Sequence, residues 1–187
     1  NANPEIVFHL AAQPLVRESY ETPIETWDTN VIGTANLLQA CRKLNNLKAI
    51  IVVTSDKCYE NTEINKGYKE NDPLGGHDPY SSSKAAVELL VSSFRRSYFS
   101  DDNSPRLVTA RAGNVVGGGD WSKNRLIPDL VRSSISGKKL LIRYPKSTRP
   151  WQHVLDCNYG YLQLAMMLVS SSNVKENTFN FGPSQKS

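Results

Sequence analysis

The stretch Ala49-Ile50-Ile51-Val52-Val53-Thr54-Ser55-Asp56-Lys57 decides the fold class of this chain. Its first five residues form an uninterrupted apolar run, which is typical of a buried strand. The polar residues follow at the carboxyl end of that strand. In an open α/β sheet, side chains at these ends line the ligand crevice. We therefore predict that Ser55 lies in such a crevice.

Strands and helices alternate along the rest of the chain. The hydrophobic pattern predicts strands at residues 6–12, 47–54, 107–110, 139–143 and 178–181. It predicts helices at residues 23–45, 80–99, 126–136 and 156–171. This alternation favours an α/β fold, with a parallel sheet covered by helices on both faces.

Composition limits the function classes. With 187 residues, 39% of them hydrophobic, the chain can bury a core and form one domain or slightly more. Its longest apolar stretches, 49–53 and 165–169, fall far short of the roughly 18 residues of a membrane span. Cys41, Cys58 and Cys157 include no C-x-x-C pair, which favours reduced thiols over disulfides or metal ligands. We therefore predict a cytoplasmic protein without a membrane contact or a metal site.

Positive charge is concentrated in one segment. The formal net charge is only +4, yet residues 121–150 contain eight Lys and Arg against one Asp. Such a segment is either a solvated face or a binding surface for an anionic ligand such as a pyrophosphate. A nucleic-acid partner is not expected, because the chain carries no recognition motif.

The run Tyr80-Ser81-Ser82-Ser83-Lys84 carries the clearest chemical signal. Asp78-Pro79 directly before it predicts a helix start, with Tyr80 in the first turn. A Tyr and a Lys four residues apart share one helix face, where the ammonium can lower the pKa of the phenol. Many helices carry this spacing by chance, but its position after the Ser55 strand favours an acid–base site.

Several motifs together carry a family resemblance. They are residues 8–12, residues 30–34, Ser55 with Tyr80 and Lys84, and Arg111-x-Gly113-Asn114-Val115. In this order they resemble the extended short-chain dehydrogenase/reductase family, in the branch that acts on sugar nucleotides. Residues 54–61, 70–76 and 149–154 resemble in particular the 4,6-dehydratases of that branch, with a CDP-linked hexose as the expected substrate.

The resemblance implies a partial Rossmann-like sheet. Residues 1–115 would form the C-terminal half of a NAD-binding domain, and residues 116–187 part of a small sugar-nucleotide-binding region. The family's opening glycine-rich unit, which holds the NAD pyrophosphate, has no counterpart in these residues, nor has the end of its substrate domain. We therefore expect a fragment that, purified alone, lacks NAD, is inactive and associates through a bare strand edge or its helices.

The resemblance also implies catalytic roles. Tyr80 would take the proton from the sugar C4 hydroxyl, and Ser55 would hydrogen-bond the same oxygen. Lys84 would bind the nicotinamide ribose of NAD. Lys57 would remove the C5 proton, and Asp56 would protonate the departing C6 hydroxyl. Dehydratases of the dTDP-glucose type carry Asp-Glu at these last two positions, so the base would differ. A Lys base must be partly neutral, which burial or a nearby cation would promote.

Binding residues follow from the same resemblance. The expected NAD-binding residues are Leu10, Ala11, Ala12, Thr54, Tyr80 and Lys84. The expected substrate-binding residues are Asn114 and Arg149 at the diphosphate and Arg125 at the nucleotide. His9 and His153 are predicted to be structural residues in the core.

The sequence also predicts self-association, and it leaves two alternative functions open. The helices at 23–45 and 80–99 resemble the pair that forms a dimeric four-helix bundle in this family, so a homo-oligomer is expected. A sugar-nucleotide 4-epimerase would share Ser55, Tyr80 and Lys84, but it needs no acid–base pair such as Asp56 and Lys57. A non-catalytic protein that serves in association or nucleotide binding also remains open.

Overall fold

The computed structural model describes residues 2–63, 66–171 and 174–183. Four parallel strands form the main sheet, in the order β1-β2-β3-β6: Ile6–His9 (β1), Ala49–Val53 (β2), Arg106–Ala112 (β3) and Thr178–Phe181 (β6). Asn114–Val116 (β4) and Trp151–His153 (β5) pair with each other, also in parallel. The predicted parallel sheet is therefore confirmed.

Six α-helices accompany these strands in the described residues. They are Val16–Glu21 (α1), Pro23–Trp27 (α2), Gly33–Cys41 (α3), Pro79–Tyr98 (α4), Leu126–Ser136 (α5) and Val154–Ser170 (α6). A five-residue π-helical turn, Asp28–Ile32, joins α2 to α3, and a 3₁₀ turn, Asp56–Cys58, follows β2. None of the helices in the described part of the chain is long and apolar enough to cross a membrane.

The sheet is buried on both faces, as the unbroken apolar run of β2 predicts. Ala49 and Ile51 face a core shared with α6. Ile50 and Val52 point the other way, into a core shared with α3 and α4. Because successive strand residues point to opposite faces, only a strand covered on both sides can be apolar throughout.

The sequence prediction fails at one strand and misses two others. Residues 139–143, all described, form no strand, and Leu141 and Ile142 are exposed. Apolar composition alone cannot form a strand without a neighbour to complete its hydrogen bonds. The missed strands β4 and β5 have three residues each, too few for a visible alternation.

The predicted helix at 23–45 is also modified. It contains the π-helical turn, and a separate helix, α1, precedes it. Trp27 before the turn is 41% exposed, whereas Leu38 and Cys41 after it are buried. The extra residue in a π turn rotates the residues before it relative to those after it, so one stripe does not continue through.

Elements from both sides of the boundary predicted at residue 115 contribute to the main sheet. β6 pairs with β3, and α6 packs against the main sheet. The assignment of residues 116–187 to sugar-nucleotide binding stays a prediction. At the other side of the sheet, β1 pairs with β2 alone among the described strands and is an edge strand.

Candidate active site

Ser55 begins the tight turn that follows β2. Its backbone is extended, and its hydroxyl oxygen accepts a hydrogen bond from the Lys57 amide at 3.2 Å. This is the usual way in which a serine caps a helical turn. The side chain is buried at the carboxyl end of a central strand, where the sequence predicted a crevice residue.

Tyr80 lies in the first turn of α4, as predicted. Asp78 caps this helix by accepting from the Ser81 amide at 2.9 Å, and Pro79 occupies its first position. Tyr80 is 8% exposed. Burial raises the pKa of its phenol, while a hydrogen bond with the Ser55 side chain lowers it. The fold therefore brings Ser55 and Tyr80 together from two separate segments.

Lys84 lies one turn further along α4 and is 6% exposed. Its Nζ donates to the Val53 carbonyl at 3.2 Å, and burial lowers its pKa to about 8. The expectation that this ammonium lowers the pKa of Tyr80 is wrong here. Burial dominates and raises that pKa, and the opposing influences come from Ser55 and Arg125.

Asp56 and Lys57 form an ion pair on the turn. Lys57 Nζ lies 3.3 Å from Asp56 Oδ1, and the Ser55 hydroxyl donates to the same oxygen at 3.2 Å. Both side chains are partly exposed. The neighbour of Lys57 is thus a carboxylate, and the lysine side chain is only partly buried. Its catalytic role stays a prediction.

The expected cofactor loop follows β1. Leu10 and Ala11 are exposed and Ala12 is half-buried, at the same edge of the sheet as Ser55. The backbone amide of Gln13 donates to Asn30 Oδ1 at 2.8 Å and connects the loop to the π-helical turn. The loop therefore presents open backbone and one apolar side chain beside the crevice.

The donor set of this crevice fits the nicotinamide half of NAD. An ammonium has three N–H donors, and among the described residues the structure gives Lys84 Nζ one acceptor, the Val53 carbonyl. Its remaining donors suit the hydroxyls of a ribose. Thr54, another expected cofactor residue, is buried and donates to Glu88 Oε1 at 2.5 Å, so its hydroxyl is already engaged.

The expected substrate residues lie on the two-stranded sheet and at the start of α5. Asn114 pairs with Trp151 across β4 and β5, which brings it near Arg149, two residues earlier. Asn114 Oδ1 is buried without a hydrogen-bond partner in the described residues, and a ligand hydroxyl or amide that donates a hydrogen bond would satisfy this oxygen. Arg125 pairs with Asp120 at 3.1 Å.

The two expected substrate-binding arginines, Arg125 and Arg149, differ in their surroundings. Burial raises the pKa of Tyr80, and the charge of Arg125 is near enough to oppose this shift in part. Arg149 is exposed. The described part of the chain contains no cluster of His, Cys, Asp or Glu side chains that could hold a metal ion.

The two histidines have structural contacts, but only one is near the core. His9 Nε2 lies 2.9 Å from the Thr34 hydroxyl, and burial lowers its pKa. His153 is exposed and caps α6, where its Nδ1 accepts from the Leu155 amide at 3.2 Å. The prediction of a core position is therefore wrong for His153.

Sequence reasoning missed a buried ion pair beside the site. Glu88 and Arg111 are 2.9 Å apart, with side chains 3% and 4% exposed. The available signal was a charge at a position where the pattern calls for an apolar residue: Glu88 lies on the inward face of α4, and Arg111 lies within the buried strand β3. Such charges are rare unless they are paired.

Comparisons with known proteins show the family of this chain. The chain belongs to the NAD dependent epimerase/dehydratase family, whose model matches residues 1–182. It is 53% identical to CDP-glucose 4,6-dehydratase of Salmonella typhimurium over 184 residues, which cover 96% of this chain and 51% of that protein. The resemblance seen in the sequence is thereby confirmed.

The solved structures that match this chain include a dehydratase and an epimerase. One is dTDP-glucose 4,6-dehydratase from Bacillus anthracis in complex with NAD, at 28% identity and a TM-score of 0.74, covering 95% of this chain and 51% of that one. Another is UDP-N-acetylglucosamine 4-epimerase from Methanobrevibacter ruminantium, at 26% identity and a TM-score of 0.76, covering 95% and 55%. This chain spans about half the length of these relatives.

Proposed function

We propose that this chain carries the catalytic residues of an NAD-dependent sugar-nucleotide 4,6-dehydratase, a hydro-lyase that converts CDP-glucose to CDP-4-keto-6-deoxyglucose. The observation that carries the proposal is the buried Ser55–Tyr80 contact, with the Asp56–Lys57 ion pair on the same turn. The similarity to the Salmonella enzyme supports CDP-glucose as the substrate.

The first chemical step belongs to Tyr80 and Ser55. The Tyr80 phenolic oxygen takes the proton of the C4 hydroxyl, and the Ser55 hydroxyl holds the C4 oxygen in place. NAD, when bound, supplies the redox chemistry, accepting electrons from the sugar at C4 and returning them at C6. Lys84 and the loop at residues 10–12 hold its nicotinamide end.

The elimination of water needs a base and an acid at once. In the resting ion pair, Lys57 is an ammonium and Asp56 a carboxylate, 3.3 Å apart. The step requires the proton shared by this pair to lie on Asp56, which leaves Lys57 as a neutral amine and Asp56 as a carboxylic acid. The amine then takes the C5 proton, and the acid protonates the departing C6 oxygen. Net charge does not change, which suits a partly buried site.

The substrate's diphosphate and nucleotide lie towards α5. Asn114 and Arg149 bind the diphosphate, and Arg125 borders the nucleotide. The support is the pairing of β4 with β5, which brings Asn114 near Arg149, and the excess of positive charge in residues 121–150. The side-chain NH2 group of Asn114 is the donor for the diphosphate oxygens. Guanidinium groups suit phosphates because they donate two hydrogen bonds in parallel.

An experiment in deuterium oxide tests the proposal. A chimera in which this chain replaces the matching half of the Salmonella enzyme should convert CDP-glucose to a 4-keto-6-deoxy product and label its C5 with deuterium. NMR and mass spectrometry of the product follow both changes. Inversion at C4 without C5 label would instead establish the epimerase.

The 4-epimerase is the second candidate function. Ser55, Tyr80 and Lys84 would serve it equally well, and an epimerase structure matches this chain over 95% of its length. The Asp56–Lys57 pair favours the dehydratase, because inversion at C4 needs no proton transfer at C5. A chimera that binds the nucleotide sugar but turns over neither reaction would favour the non-catalytic alternative.

Association is the last part of the proposal. Exposed apolar residues occur on the helices expected to pair, namely Ile24, Trp27, Ile32 and Leu89. We place a homo-oligomer contact on this face, to be tested by analytical ultracentrifugation with a Trp27→Glu variant as comparison. The three buried free thiols are in keeping with a reducing compartment such as the cytoplasm.

A further inference from the structure

A buried ion pair lies beside the proposed catalytic turn and has no part in the mechanism above. Glu88 of α4 and Arg111 of β3 are 2.9 Å apart and almost fully enclosed. A buried pair of this kind is often no more stabilising than apolar side chains of similar volume. Its contacts with neighbouring segments are therefore the better guide to its role.

Glu88 holds the segment that enters the turn. The Thr54 hydroxyl donates to Glu88 Oε1 at 2.5 Å, and Thr54 directly precedes Ser55. The Thr109 hydroxyl of β3 donates to the other carboxylate oxygen at 2.8 Å. Hydrogen bonds to an ionised carboxylate are stronger than those between neutral groups, so the end of β2 is firmly held.

Arg111 holds the segment that leaves the turn. One of its terminal nitrogens, Nη1, donates to the Tyr59 hydroxyl at 2.9 Å and to the Glu70 carbonyl at 3.0 Å. Tyr59 directly follows Cys58, the last residue of the turn. The Tyr59 hydroxyl in turn donates to Asn180 Oδ1 of β6 at 2.6 Å, which fastens this side to a second strand.

The two contacts therefore enclose residues 55–58. Thr54 on one side and Tyr59 on the other are bound to the same ion pair, and Ser55, Asp56 and Lys57 lie between them. A loop of four residues whose two neighbours are both fixed has little freedom left. A displacement of about 1 Å in such a turn would cost catalysis heavily.

We propose that the Glu88–Arg111 pair is a positioning device that clamps both ends of the Ser55–Cys58 turn and thereby fixes the side chains of Ser55, Asp56 and Lys57 against Tyr80. The roles of those side chains rest on the proposed function, whereas the clamp rests on the contacts alone. Neither Glu88 nor Arg111 is proposed to touch the substrate.

Hydrogen exchange of the backbone amides in this chain tests the clamp and does not require enzymatic activity. The amides of Lys57 and Cys58 bond to the Ser55 hydroxyl and carbonyl, both at 3.2 Å, and report the closure of the turn. In the double variant Glu88→Leu/Arg111→Met, which leaves no unpaired buried charge, we expect these amides to exchange about fivefold to tenfold faster, as loss of one hydrogen bond's net stabilisation gives.

Arg95→Met is the matched control. Arg95 bonds the Leu107 and Asn177 carbonyls with its guanidinium, at 2.6 and 3.3 Å, at the opposite end of the same sheet. Its loss should leave the exchange of the Lys57 and Cys58 amides unchanged relative to the rest of the sheet. Equal acceleration at the turn in both variants would overturn the clamp and leave Glu88 and Arg111 as ordinary core residues.

A single substitution separates the two ends of the turn. Lysine at position 111 can still pair with Glu88, but a single ammonium cannot also reach Tyr59, so Arg111→Lys should free the Cys58 end alone. This variant also serves if the double variant does not fold. Unchanged Cys58 exchange in Arg111→Lys would contradict the contact with Tyr59 as a clamp.

Kinetics in the chimera then separate the clamp from the proposed function. Arg111→Lys should lower kcat for CDP-glucose by about tenfold or more with little change in KM, because binding residues are untouched. Loosened amides with an undiminished kcat would overturn the positioning role. A wild-type chimera without dehydratase activity would instead overturn the proposed function, while the exchange result would still decide the clamp.

Discussion

Two regions of the molecule contribute residues to the proposed site, but they are built differently. One is the carboxyl end of β2 with the first turns of α4, and the other is the segment from 117 to 150. Ser55, Tyr80 and Lys84 are buried and hydrogen-bonded. Arg125 is partly exposed and Arg149 is exposed. The three groups proposed to act at C4 are thus fixed by packing, whereas the arginines proposed to bind the charged ligand lie nearer the surface.

This difference has a physical reason. Proton transfer requires atoms placed to a fraction of an ångström, which only a packed core supplies. A diphosphate brings its own charge and can order flexible guanidinium groups around itself. Substitutions in the first region should therefore affect turnover, and those in the second should affect affinity.

The largest effect is expected from Tyr80→Phe in the chimera. Loss of the phenolic oxygen removes the proposed acceptor of the C4 proton, so kcat should fall by about 10²–10⁴-fold. Substrate affinity should stay nearly constant, because the ring and its packing remain. Steady-state kinetics with CDP-glucose, and calorimetric titration with the substrate, measure the two quantities.

Tyr98→Phe on the same helix is the control for that substitution. Tyr98 is exposed at the far end of α4, so its hydroxyl has no place in the site. Near-normal turnover in Tyr80→Phe would show that the buried phenol is structural and would remove the basis of the comparison.

Lys57→Met tests the ion pair at the turn. We expect it to abolish exchange of the C5 hydrogen with deuterium oxide while oxidation at C4 continues, visible as absorbance of reduced nicotinamide. Asp56→Asn should instead stall the loss of water. Lys48→Met, which breaks the exposed ion pair of Lys48 with Glu5, is the matched control. Undiminished C5 exchange in Lys57→Met would exclude this lysine as the base and revive the epimerase.

Burial of Lys84 predicts a pH dependence of stability. Its pKa is lowered from 10.5 to about 8, so between these values the unfolded chain binds more protons than the folded chain. Unfolding therefore becomes less favourable as pH rises through this window. Relative to Lys84→Met, the wild-type chain should gain up to about 3 kcal/mol between pH 8 and 10.5.

Urea titrations of both chains at several pH values measure this difference. Comparison within the pair cancels the titrating groups that do not interact with Lys84. Cys58 does interact with Lys84, and because burial raises its pKa to about 12 it acts in the opposite direction above pH 9, so the slope is read between pH 8 and 9. A stability difference that does not change with pH would show that Lys84 keeps an ordinary pKa despite its burial.

The smallest effect on the fold is expected from Arg149→Ala. Because Arg149 is exposed, its loss should change the free energy of unfolding by less than about 0.5 kcal/mol. If it binds the diphosphate, KM for CDP-glucose should still rise by about tenfold or more, as for a hydrogen bond to a charged group. Lys146→Ala, another exposed cation in the same segment, should change neither quantity. An unchanged KM in Arg149→Ala would show that Arg149 does not bind the substrate.

The sequence by itself determined the elements that local patterns specify. The apolar run at 49–53 predicted a strand buried on both faces, and β2 is such a strand. Asp78 and Pro79 predicted the start of α4, and the structure places both as expected. The helix predicted at 126–136 and the strand predicted at 178–181 have the observed bounds. Capping residues and periodicity act within a few residues, so the sequence displays them directly.

Only the tertiary structure decided what depends on distant partners. The pKa of Tyr80 rises instead of falling, because burial by the surrounding fold outweighs the neighbouring charges. The apolar residues at 139–143 form no strand, since no strand of the described residues pairs with them. Glu88 of α4 and Arg111 of β3 are 23 residues apart in the sequence and come into contact only when the helix packs on the strand. Such contacts arise from the packing of whole elements against one another, and no local pattern contains that information.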